Sequence, residues 1–128
     1  MDCLIVEDDT LLCDALADCV EGMGHATDRA STIEEAMHRL KRQKYELILL
    51  DYGLPDGNGL PVSNYAALFC PGVRIILVTG NEIFPNGEHR QVAPSIDWVM
   101  RKPVCFDDLS ALIDYAELDS APHNRTHL

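Results

Sequence analysis

Long apolar runs are missing from this 128-residue sequence: no segment approaches the ~20 apolar residues that a membrane-spanning helix requires. Basic residues are scarce too. Ten Lys and Arg stand against 21 Asp and Glu, for a formal net charge of −11 with histidine neutral. Such an acidic surface repels phosphate backbones and anionic headgroups, so neither direct nucleic-acid contact nor membrane insertion is expected. Partners are to be sought among proteins and cations. Paired cysteines are also absent: Cys3, Cys13, Cys19, Cys70 and Cys105 are odd in number and never spaced as CxxC. They read as small buried hydrophobes of a reducing compartment rather than a disulfide or zinc framework. The opening MDCLIVEDD turns acidic after three apolar residues, unlike a signal peptide. With no internal repeat, low-complexity stretch or linker before residue 118, one cytoplasmic domain is expected, followed by a frayed tail over 118–128.

What is present is an ordinary globular balance, 47% hydrophobic and 24% charged. A domain of this length buries roughly two thirds of its unfolded surface, enough for a core. Short apolar runs recur at 4–6, 47–50, 75–78 and 98–100, none alternating with polar residues, which is the pattern of strands buried on both faces of a parallel sheet. A weaker strand fits His25 to Arg29. Helical stripes lie between the runs: Leu12, Leu16, Val20 and Met23; then Ile33, Ala36, Met37 and Leu40; and last Leu109, Leu112, Ile113 and Ala116. Ser31 with Glu34 three residues on predicts a capping box for the second helix, and Asp107 and Asp108 suit the start of the last. Alternating strands and helices predict an α/β fold: a doubly wound, five-stranded parallel sheet with about five helices on both faces. The helix expected within 80–97 is short or irregular, because Pro85, Asn86, Gly87 and Pro94 interrupt it.

In such sheets ligands bind at the carboxyl ends of the strands. The first expected strand ends in Glu7, Asp8 and Asp9, the third in Asp51, the fourth in Thr79 and Gly80, and the fifth in Arg101, Lys102 and Pro103. Any one of these acids reads equally as a helix or turn cap. Together, carboxylates at one edge repel and call for a compensating cation, and few carboxylates with open water positions suit Mg²⁺. The ion's two positive charges and that of Lys102 would balance Glu7, Asp8 and Asp51, leaving a site suited to a phosphoryl group.

The stretches LIVEDD (4–9), LILLDYGLPDGNGL (47–60), IILVTG (75–80) and RKP (101–103), in this order and spacing, resemble the receiver domain of two-component response regulators over residues 2–117. A chemotaxis member of that family has strand order 2-1-3-4-5, so the resemblance implies that order here. It further implies that Asp51 is the phospho-acceptor, taking phosphate from a phosphohistidine of a sensor histidine kinase or phosphotransfer protein. Asp8, Asp51 and the Gly53 carbonyl would ligate Mg²⁺ directly and Glu7 through water, with Asp9 either a cap or an outer contributor. Thr79 would hydrogen-bond the phosphoryl group, Lys102 would ion-pair with it, and the Lys102–Pro103 bond would be cis. Gly80 would leave space beside the acceptor, while Pro55 and Gly59 would shape the loop after Asp51, Gly59 by permitting an unusual φ. The chain would be a switch catalysing only its own phosphorylation and hydrolysis, with a downstream protein target.

The usual aromatic three residues before the Lys is replaced by Val99, beside Trp98; Pro61 interrupts the start of the third helix. An output without an aromatic swing is therefore expected, in which segment 80–97 is the most mobile part and is ordered on phosphorylation. The alternatives are a pseudo-receiver that only binds partners, the N-terminal receiver of a longer transcriptional regulator, and a Mg²⁺-dependent phosphatase with an Asp nucleophile. The last needs a nucleophile and acid two residues apart, where this chain has Glu7 and Asp9, and a cap for which it has no room.

Overall fold

The computed structural model describes residues 1–80 and 93–119. In chain order it forms β1 (Asp2–Val6), α1 (Thr10–Gly22), β2 (Ala26–Ala30), α2 (Ile33–Arg42) and β3 (Leu47–Asp51). There follow a small hairpin of β4 (Gly53–Leu54) and β5 (Gly57–Asn58), α3 (Leu60–Phe69), β6 (Arg74–Thr79), β7 (Trp98–Arg101) and α4 (Phe106–Asp119). The five long strands make one parallel sheet in the order β2-β1-β3-β6-β7, which is 2-1-3-4-5 once the hairpin is set aside. The doubly wound fold is the one expected. Most of the fourth helix's expected segment, 81–92, lies outside the described residues, as does 120–128. Among the described residues no helix is long and apolar enough to cross a membrane.

Successive strand side chains point to opposite faces, so unbroken apolar strands build two cores. Leu4, Val6, Ile48, Leu50, Ile75 and Leu77 face α2 and α3, meeting Ala36, Leu40, Val62 and Ala66. Cys3, Ile5, Leu47, Leu49, Ile76 and Val78 face α1 and α4, meeting Leu16, Val20, Leu109 and Ile113. Each fully buried Leu or Ile contributes about 1.5–3 kcal/mol, so the central strands anchor the carboxyl edge rigidly.

Several local expectations shift. The second strand begins at Ala26, not His25, whose ring is buried with Nδ1 2.8 Å from the Met1 amino nitrogen. Cys13 and Ala17 join Leu16 and Val20 as the buried stripe of α1, while Leu12 and Met23 pack half-buried against the same core. The capping box of α2 is displaced by one residue: Thr32 Oγ1 accepts from the Glu35 N–H at 3.0 Å, and Glu35 Oε1 accepts from the Ser31 N–H at 3.2 Å. Pro61 does not interrupt α3 but lies in its first turn, where a missing N–H costs nothing. Leu118 and Asp119, assigned to the tail, form the end of α4, where Asp119 pairs with Arg74. Arg74 also pairs with Asp97 at 3.3 Å and lies 4.6 Å over the Trp98 ring.

Candidate functional site

The carboxyl ends of β1, β3, β6 and β7 converge because parallel strands all end on one edge. Glu7 leaves β1 with its N–H bonded to the Ala30 carbonyl at 2.9 Å, and the residue is only 3% exposed. Asp8 is exposed; Asp51, the last residue of β3, is 5% exposed. Ligand atoms of Glu7, Asp8 and Asp51 all lie within 4.8 Å of one another, a group that could hold a metal ion. From the far strand, Lys102 reaches across with Nζ 3.2 Å from Glu7 Oε1 and 3.4 Å from Asp51 Oδ2.

The charges there are unbalanced. Burial pushes the Glu7 carboxyl up from 4.5 to about 7, the Asp51 carboxylate adds to this, and the Asp9 N–H, donating to Oε2 at 3.1 Å, opposes it. Burial also works against the Lys102 ammonium, yet the two flanking carboxylates hold it above the ordinary lysine value. Glu7 Oε1 is within ion-pair range of Lys102 but makes no hydrogen bond among the described residues, a buried acceptor left for another donor or a cation.

A stability consequence follows for the protein in chelator. Between 4.5 and about 7 the folded chain holds a proton on Glu7 that the unfolded chain has lost, so stability falls as pH rises through that window. Thermal melts at about pH 5 and pH 8 are expected to show this step, and Glu7→Gln, which cannot titrate, is expected to flatten it. An identical pH profile in the two proteins would contradict the assignment.

Thr79 ends β6, fully buried and in register with Arg101, and its carbonyl accepts from the Lys102 N–H at 2.9 Å. Gly80 flanks the lysine stem: a Cβ there would lie 3.9 Å from Lys102 Cδ, an ordinary contact. Gly53 opens the hairpin and its N–H donates to Asp51 Oδ1 at 3.3 Å. The Lys102–Pro103 peptide is cis.

Asp9 is a cap. Its Oδ1 accepts from the Leu12 N–H at 3.2 Å, and it stands outside the carboxylate group. Gly59 is needed for a reason other than the one expected. Its φ of −78° suits any residue, but a Cβ would sit 2.5 Å from the Asp51 carbonyl oxygen. The positive φ belongs instead to Gly57, at 141°, which closes the turn after Pro55 and Asp56. Strand register runs unbroken from Ile76↔Trp98 to Thr79↔Arg101, so no bulge brings Trp98 to the place of Val99. Val99 packs on the α2 and α3 side, whereas Trp98 turns to the opposite side and meets Tyr115 at 5.7 Å between ring centroids.

Asp56 went unnoticed among the turn residues. Its Oδ1 accepts from the Ile33 N–H at 2.9 Å and its Oδ2 from the Glu34 N–H at 3.2 Å, a cap supplied to α2 from 22 or more residues away. The sequence signal, Pro-Asp-Gly, indicates a turn and nothing of the helix it touches.

A family model described as the response regulator receiver domain matches residues 3–114. The alginate biosynthesis transcriptional regulatory protein AlgB of Pseudomonas aeruginosa is 28% identical over 106 residues, covering 83% of this chain and 23% of that protein. The transcriptional regulatory protein BasR of Escherichia coli is 45% identical over 60 residues, covering 47% of this chain and 27% of that protein. The chain thus spans about a quarter of the length of these two curated relatives. Among solved structures, a CheY-like response regulator receiver domain protein from Methanospirillum hungatei superposes with a TM-score of 0.84 at 29% identity, covering 93% of this chain and 94% of that one. With the match extending over residues 3–114 and the sheet order that goes with it, this chain belongs to the response regulator receiver domain family.

Proposed function

We propose that this chain is a Mg²⁺-dependent phosphoacceptor switch in which Asp51 takes a phosphoryl group from a phosphohistidine of a sensor histidine kinase or phosphotransfer protein. The observation that carries the reading is a buried Asp51 carboxylate at the end of β3, 3.4 Å from the Lys102 ammonium and grouped with Glu7 and Asp8. An Asp51 oxygen attacks phosphorus, the N–P bond of the donor breaks, and its electron pair leaves on the imidazole nitrogen, giving an aspartyl phosphate. Lys102 pairs with a phosphoryl oxygen, and Thr79, held buried beside it, supplies a hydroxyl to another. Fixed positioning and charge neutralisation are what phosphoryl transfer asks of a protein.

The donor set fits a hard divalent ion: carboxylate oxygens, a backbone carbonyl on an adjacent hairpin, and a buried acceptor at Glu7 Oε1 that makes no hydrogen bond among the described residues. Asp8, Asp51 and the Gly53 carbonyl would hold the ion, with Glu7 acting through water. Bound Mg²⁺ supplies positive charge against the carboxylates and the transferring phosphoryl oxygens.

Phosphorylation exchanges a charge of −1 for about −2 at Asp51. Val99 has no ring to swing inward, so the output is a protein contact reached by another route, toward a downstream protein target. The expected ordering of segment 80–97 concerns residues that lie mostly outside those described.

The test is intact-mass measurement after a small phosphodonor is added with Mg²⁺. Gain of one phosphoryl group is expected, with none in chelator and none in Asp51→Asn. Mg²⁺ alone at about 100-fold above its Kd is expected to add about 2.7 kcal/mol, roughly 10 °C in Tm for a domain of this size. Asp8→Asn is expected to shrink that increment. A protein that neither gains phosphate nor is stabilised by Mg²⁺ would be a partner-binding pseudo-receiver instead.

A further inference from the structure

The loop that carries Gly53 has little to hold it. Among the described residues its hairpin has only the pairs Gly53↔Asn58 and Leu54↔Gly57 and joins no other strand of the sheet. A lone two-stranded hairpin is marginal in water. Leu54 is buried, but the backbone at the turn is seated by Asp56, whose two oxygens take the Ile33 and Glu34 N–H groups. Gly57 seats on the same turn of α2: a Cβ there would approach Ile33 Cδ1 to 3.2 Å.

The helix has a local cap of its own. Thr32 Oγ1 takes the Glu35 N–H, and the Thr32 carbonyl takes that of Ala36 at 3.0 Å. Asp56 takes the Ile33 and Glu34 N–H groups in solvent-exposed hydrogen bonds, where water would serve the helix equally. The bond therefore does more for the hairpin than for α2. The same junction also holds the other acidic loop, since the Glu7 N–H bonds to Ala30, three residues before Ile33.

We propose that Asp56 is a positioning residue: by clamping the hairpin to the N-terminal amides of α2 it sets the Gly53 carbonyl relative to Asp51, Glu7 and Asp8. This rests on the phosphoacceptor reading above. The Ile33 N–H, with that of Glu34, holds the Asp56 carboxyl below the usual aspartate range, so the clamp stays ionised at neutral pH.

Calorimetric titration with MgCl₂ and amide exchange in chelator decide the matter, applied to wild type, Asp56→Ala, Asp56→Asn and Thr32→Ala. Asp56→Ala is expected to raise the Mg²⁺ half-saturation concentration about tenfold and to speed exchange of the Gly59 N–H, bonded to the Tyr52 carbonyl at 2.8 Å, by about tenfold. Asp56→Asn, retaining one acceptor oxygen, is expected to fall between. Thr32→Ala removes the helix's own cap without touching the hairpin; a lower Tm with Mg²⁺ half-saturation within about twofold of wild type is expected. Equal Mg²⁺ half-saturation in wild type and Asp56→Ala, or an equal shift in Thr32→Ala, overturns the proposal. Should wild type itself fail to bind Mg²⁺, the phosphoacceptor reading falls, and unchanged Gly59 exchange in Asp56→Ala would separately overturn the clamp.

Discussion

Gly59→Ala is expected to destabilise the domain by about 3 kcal/mol, a Tm loss of roughly 10 °C, although alanine suits the backbone angles there. The added Cβ would stand 2.5 Å from the Asp51 carbonyl oxygen and 3.0 Å from Leu50 Cδ1. The Leu50 side chain is fully buried in the core and has little room to turn aside. The Asp51 carbonyl is fixed too, because it belongs to the central strand, buried on both faces and paired with β1 and β6. The clash is therefore relieved by moving the start of α3 or the end of β3, and either displaces the acceptor loop. Phosphorylation is expected to suffer as well as stability. Thermal unfolding by circular dichroism checks the first point, and a Tm within about 2 °C of wild type would show that the chain has room there.

This glycine also illustrates what a sequence conceals. A glycine between Asn58 and Leu60 invites a conformational explanation, while the actual constraint is a backbone atom eight residues earlier. The site acids were legible for the opposite reason. Buried parallel strands announce themselves as unbroken apolar runs, and the rule that ligands sit at their carboxyl ends then points to 7–9, Asp51, 79–80 and 101–103, within which the family resemblance singles out Glu7, Asp8, Asp51, Thr79 and Lys102. The edge strand β2, ATDRA, has one neighbour and mixed exposure, so its start slipped by one residue. The cap of α2 slipped likewise, because Ser31 and Thr32 are adjacent hydroxyls and Glu34 and Glu35 adjacent acids, each offering a capping box. Asp56 was invisible in principle: its partners are backbone amides that only the folded chain brings near.

Lys102→Ala is expected to slow phosphorylation by a small phosphodonor about 10²-fold at saturating Mg²⁺. The ammonium is held between Glu7 and Asp51 before any phosphate arrives, so its position costs no rearrangement when charge builds on the phosphoryl oxygens. Removing it leaves two buried carboxylates facing each other across an unfilled gap, and Glu7 then keeps its proton to still higher pH. Lys102→Arg retains the charge but replaces a compact ammonium with a broad planar group, and is expected to recover only part of the rate. Stopped-time intact-mass measurements give both rates; a Lys102→Ala rate within about twofold of wild type would remove Lys102 from the chemistry.

Borohydride reduction of the phosphodonor-treated protein, followed by peptide mass spectrometry, locates the phosphoryl group directly. An acyl phosphate takes one hydride at its carbonyl carbon and releases phosphate, and a second hydride reduces the resulting aldehyde to an alcohol where the carboxylate was. Conversion of Asp51 alone to homoserine, in Mg²⁺ and not in chelator, is the result expected of a phosphoacceptor at the end of β3. Conversion at Asp8, Asp9 or Asp56 with Asp51 intact would contradict it.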